Sequence, residues 1–110
     1  MAPRLPLYKK LSILIRLEPG CLGPDGKNHI EVFCSDAKPK LKSFHGGIIR
    51  WNIEPRYDKS LPEIEYQLHK ETVSNKQLED FFTEFDIALG DFEEALDERL
   101  ADLIEHYFER

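Results

Sequence analysis

Four histidines and two cysteines could bind a metal or move a proton in this chain of 110 residues. Their spacing restricts them. Cys21, His29, Cys34 and His45 match no standard zinc pattern, so no metal ligand set is expected. Asp102 and His106 lie four apart and could pair on a helix. No nucleophile stands beside them, and a histidine in a last helical turn is already favoured by the negative end of the helix dipole. His45-Gly46-Gly47 resembles an oxyanion-hole turn, but no G-x-S-x-G elbow accompanies it. His45 and His69, with nearby carboxylates, remain the residues on which a small-ligand or catalytic domain would depend, and no base, nucleophile and orienting group can be assembled from their spacing. The segment from Gly20 to Asn28 invites comparison with a phosphate loop. G-x-x-x-x-G-K-[ST] would need glycine at position 21 and Ser or Thr at position 28, and a strand rather than a helix is expected to follow. No catalytic residue and no cofactor is therefore expected.

Carboxylates form the most ordered pattern. Asp91, Glu94, Glu98, Asp102, Glu105 and Glu109 project within about 80° of one another on a helical wheel, opposite Phe92, Leu96, Leu100, Leu103 and Tyr107. Like charges three and four apart each cost about 0.2–0.5 kcal/mol, so the isolated helix bears a repulsion that a cationic partner would relieve. The same stripe is also what a solvated, solubilising face looks like. Charge is divided along the chain in the same sense. Residues 1–60 carry eleven Lys/Arg against six Asp/Glu and residues 61–110 carry four against fifteen, net charges of +5 and −11. A pI near 5.2 opposes nonspecific phosphate-backbone binding and disfavours nucleic acid as a partner.

The elements that must position these residues are read from hydrophobic period. Leu11, Ile13, Ile15 and Leu17 alternate with largely polar neighbours, as do Ile30, Val32 and Cys34, then Ile49, Trp51 and Ile53, then Ile64, Tyr66 and Leu68. A Gly- and Pro-rich loop from Pro19 to Asn28 would join the first two as a hairpin. One largely polar face argues for an antiparallel sheet. On that register Leu14, Phe33 and Ile48 share the outer face with Arg16, Arg50, Gln67 and His69, an apolar patch with a cationic rim that could mediate association. Trp51 faces inward.

At Ser74 the period becomes helical. Ser74 and Gln77 make a capping box, followed by Leu78, Phe81, Phe82 and Phe85. Gly90 breaks the pattern, and Asp91 with Glu94 signals a second helix running nearly to the C-terminus. The fold class expected is α+β, β-β-β-β-α-α, a four-stranded antiparallel sheet with both helices on one face, in a single domain over residues 1–110. Its core would include Ile13, Ile15, Val32, Ile49, Trp51, Ile53, Tyr66, Leu68, Phe81, Phe85, Leu96, Leu100 and Leu103. Arg4, Lys9 and Lys10 precede the run Leu11–Ile15, which is too short for a signal peptide or a membrane span. A cytoplasmic protein with reduced Cys21 and Cys34 is expected. These features favour a non-enzymatic protein-binding module, a small acidic inhibitor or immunity-like protein acting on a basic partner. The alternative is a homodimer that joins the basic half of one subunit to the acidic half of another.

Overall fold

A computed structural model describes residues 4–109 and divides the chain into two compact units, Met1–Thr72 and Val73–Arg110. In the first unit a short 3-10 turn at Leu7–Lys9 leads into β1 (Leu11–Leu17), and a second at Pro19–Leu22 leads into α1 (Gly26–Leu41). β2 (Ile49–Pro55), β3 (Ile64–Leu68) and β4 (Glu71–Thr72) complete a sheet of order β2-β1-β3-β4. β1 pairs parallel with β2, Leu11 opposite Ile49 and Ile15 opposite Ile53, and antiparallel with β3, Ile13 opposite Tyr66. The sheet is thus mixed rather than antiparallel, and the order β-α-β-β-β-α-α departs from strands followed by helices.

The cause is the segment expected to be the second strand. Ile30, Phe33, Cys34, Ala37 and Leu41 recur at helical spacing, and all five are buried on the inner side of α1. Val32, expected in the core, is 54% exposed on the opposite side. A parallel β1–β2 pair needs a crossover, and α1 supplies it, packing against β2. Under this helix lie Leu11, Ile13, Ile15, Ile49, Trp51 and Ile53, all buried as their period-two spacing implied. Tyr66 and Leu68 on β3 are only half-buried.

Two close approaches fix the ends of α1. At Gly26 a Cβ would lie 1.7 Å from the Pro19 carbonyl oxygen, and at Gly46 it would lie 2.0 Å from that of Lys42. Both obstacles are backbone, so neither can rotate away. Gly26→Ala is expected to cost about 3 kcal/mol in urea unfolding, as an overpacked site with no flexible neighbour does. β3 turns into β4 through His69 and Lys70, whose φ values of 54° and 68° fit a two-residue type I′ hairpin turn.

The second unit comprises α2 (Asn75–Thr83) and α3 (Leu89–Phe108). Ser74 caps α2 as expected: the Gln77 N–H donates to its Oγ at 3.2 Å, and its own N–H donates to Gln77 Oε1 at 2.8 Å. Leu78 and Phe82 are buried, with Phe81 and Phe85 half-buried beside them. α3 begins at Leu89 with Ala88 as N-cap, so Gly90 and Asp91 lie within its first turn instead of breaking and capping it. It buries Phe92, Leu96 and Leu103, while Leu100 and Tyr107 are half-buried. Rings of Phe82 and Phe92 stack at 4.3 Å and join the two helices.

Candidate functional site

Two surfaces gather charge, one in each unit. On α3 and its C-cap, Asp91, Glu94, Glu98, Asp102, Glu105 and Glu109 are all exposed, and the buried stripe Phe92, Leu96 and Leu103 falls on the other side of the helix. His106 stands in the last turn with Nδ1 2.8 Å from the Asp102 carbonyl oxygen, a backbone contact in place of the side-chain pair considered from spacing. Divided by unit, the charge is twelve Lys/Arg against nine Asp/Glu in the first, net +3, and three against twelve in the second, net −9.

The face of the sheet opposite α1 holds Ser12, Leu14 and Arg16 from β1, Arg50, Asn52 and Glu54 from β2, and Glu65 and Gln67 from β3, placed side by side by the register. Leu14, Arg16, Arg50 and Gln67 lie there as expected. The apolar patch does not form. Phe33 sits on α1 and is 1% exposed, and Ile48 precedes β2 at 4% exposed, so neither offers surface and Leu14 is left half-buried among polar neighbours. His69 stands in the β3–β4 turn rather than on this face.

Arg16 is 9% exposed. Its Nη1 donates to the Pro62 carbonyl oxygen at 3.0 Å and to Glu65 Oε1 at 3.3 Å, and its Nε lies 3.4 Å from Glu54 Oε1, close enough for ion pairing but not aligned as a hydrogen bond. That guanidinium serves to hold three strands together and is spent on structure. Arg56 is engaged likewise by Glu18 and by Glu63 at 3.7 Å. Arg50 is exposed and, with Lys10, Lys38 and Lys42, borders a groove of about 640 Å³ running from the polar sheet face past the edge of β2 to the last turn of α1.

The edge strand β2 is itself partly closed to pairing. Arg56 N–H donates to the Leu17 carbonyl at 2.9 Å, so even-numbered residues turn their peptides toward β1 and odd-numbered ones face outward. Of these, Ile49 N–H donates to the His45 carbonyl at 3.0 Å, Ile53 N–H to its neighbour's Asn52 Oδ1 at 3.0 Å, and Pro55 has no N–H. At the other edge β4 is two residues long.

The remaining chemical candidates are dispersed. Cys21 is exposed and Cys34 buried, both free thiols. Burial, then the charges of Glu54 and Glu31, push the Cys34 thiol up to about 11. At pH 8 about one Cys34 in a thousand would be thiolate even if reagent reached it. Iodoacetamide is therefore expected to modify Cys21 alone in the folded protein and both cysteines after denaturation, read as added mass; prompt labelling of Cys34 would place it at the surface. No group of three or more His, Cys, Asp or Glu that could hold a metal occurs among the described residues. Gly20 to Asn28 does join a strand to a helix, contrary to expectation, but Cys21 and Asn28 still miss the phosphate-loop positions, and Gly26 N–H is directed at the Gly23 carbonyl at 3.0 Å. No helix among the described residues is long and apolar enough to cross a membrane. Compared with protein families, curated proteins and solved structures, the chain matches none.

Proposed function

We propose that this chain is a non-enzymatic protein-binding module whose α3 carboxylate face recognises a cationic surface on another protein, in the manner of a small acidic inhibitor. The observation that supports the reading is the exposure of all six carboxylates along one side of a 20-residue helix and its C-cap. Repulsion among them raises the free energy of the unbound helix, and a basic partner removes it on contact. Steered association of this kind is fast at low ionic strength and slows as salt screens it.

Replacing Glu98, Asp102 and Glu105 together by glutamine removes three charges with little change in shape. The variant is expected to be slightly more stable at low salt and to associate about tenfold more slowly with a basic protein captured by the wild type, the gap closing as salt is raised. Equal rates for variant and wild type would leave the stripe as a solubility feature.

A second reading, a homodimer that pairs the two charge halves, is favoured by the coincidence of the charge division with the two structural units. It predicts a mass that doubles with concentration at low salt and returns to monomer at high salt. A monomer under both conditions would exclude it.

A further inference from the structure

We propose that the groove beside β2 binds a small ligand bearing phosphate groups. Cations reach it from three stretches of chain: Lys10 just ahead of β1, its Nζ donating to the Gly46 carbonyl at 2.8 Å, Lys38 and Lys42 from the last turn and C-cap of α1, and Arg50 from β2. Among the described residues Glu65 is the one carboxylate on its wall. That charge is already answered by Arg16 at 3.3 Å and by Gln67 Nε2 at 3.2 Å. Among the described residues Lys38, Lys42 and Arg50 enter no ion pair, in contrast to the structural arginines Arg16 and Arg56. Convergent cations without counter-charge repel one another and lower the free energy of an anion between them.

Neutral groups on the floor point to the same chemistry. Asn52 Oδ1 is occupied by the Ile53 N–H, so its amide is held with the NH₂ available to donate, and the Ser12 hydroxyl donates from the next strand. The site offers mainly donors, which suit the acceptor oxygens of a phosphate. A volume of about 640 Å³ lies within the range of small-molecule pockets, roughly 300–1,000 Å³. An added peptide strand is disfavoured here, because the His45 carbonyl, the Asn52 side chain and Pro55 take up three of the outward N–H positions of β2. Recognition through the side chains suits a compact polyanion. This site is separate from α3, and either can fail without the other.

The test is titration of inorganic pyrophosphate into the full chain at low ionic strength, following backbone amide resonances, with sodium chloride at matched ionic strength as control. A saturable response confined to Ser12, Arg50, Asn52 and their neighbours is expected. Arg50→Gln and Lys42→Gln should each weaken binding by about tenfold, the effect of losing one charge-assisted hydrogen bond. Lys27→Gln, at the opposite end of α1, should not. Both groove residues are exposed, so the variants keep the fold, which the spectra themselves verify. Equal shifts from chloride, or unchanged affinity in folded Arg50→Gln, would overturn the proposal. So would a concentration-dependent dimer that broadens these same amides and is lost in the Glu98, Asp102 and Glu105 glutamine variant, since a second copy's carboxylates would then fill the groove. Pelleting with phosphatidylglycerol vesicles that Arg50→Gln abolishes would assign the phosphate to a lipid headgroup and overturn the soluble-ligand form.

Discussion

Trp51→Ala is expected to lower stability by about 4 kcal/mol, within the range for removing a buried large aromatic. Trp51 is 4% exposed, stacks on Phe44 at 5.8 Å and donates its indole N–H to the Phe44 carbonyl at 2.6 Å. Truncation therefore does two things at once. It opens a cavity under α1 and removes a hydrogen bond that satisfies the backbone between α1 and β2. Trp51→Phe separates the two, since it keeps most of the ring area and loses the donor, and should cost about 1–2 kcal/mol. Urea unfolding followed by far-ultraviolet circular dichroism measures both without needing the lost fluorophore. A loss below about 1 kcal/mol for Trp51→Ala would be incompatible with a close-packed site.

In the second unit Phe82→Ala should have a comparable effect, about 3–5 kcal/mol. Phe82 has 0% exposure, its ring stacks on Phe92 at an interplanar angle of 29°, and Phe81 meets it edge-on at 5.6 Å. Its carbonyl also accepts from the N–H groups of Phe85 and Ile87, both at 3.0 Å, so the residue anchors the turn out of α2 as well as the core. A double-mutant cycle with Phe92→Ala should return a coupling of about 0.5–1.5 kcal/mol beyond area burial. Strict additivity would show that the two rings do not act on one another.

How much of this was legible depends on how local the signal is. Three strands and the α2 cap follow from short-range rules, and Ile13, Trp51 and Ser74 stand where period and capping chemistry put them. Residues 30–34 satisfy two periods at once: Ile30, Val32 and Cys34 alternate, but Ile30, Phe33, Cys34 and Ala37 also make a helical stripe. Only a window reaching Leu41 separates them, and Pro39 with its flanking lysines obscures that stretch. A hairpin is also the shorter connection, so the parallel β1–β2 pair is hidden together with the helix. The acidic face of α3 needed only the helix to be right. The groove depends on strand order and register, because nothing in sequence places Lys10 and Arg50 beside Lys42.

β1 lies at the middle of the sheet, yet both of its partners are synthesised long after it. Leu11 pairs with Ile49, 38 positions later, and Ile13 with Tyr66, 53 positions later. Closing such loops costs entropy before any contact repays it, which places this unit among slower folders than its helix content suggests. While the chain emerges, the apolar run Leu11–Leu17 has no strand to pair with and is the segment most exposed to association with other nascent chains. Arg16, the single charge within it, interrupts that run in the unfolded chain before it clamps three strands in the folded one. Its removal should therefore reduce the yield of refolding at high protein concentration more than it reduces equilibrium stability.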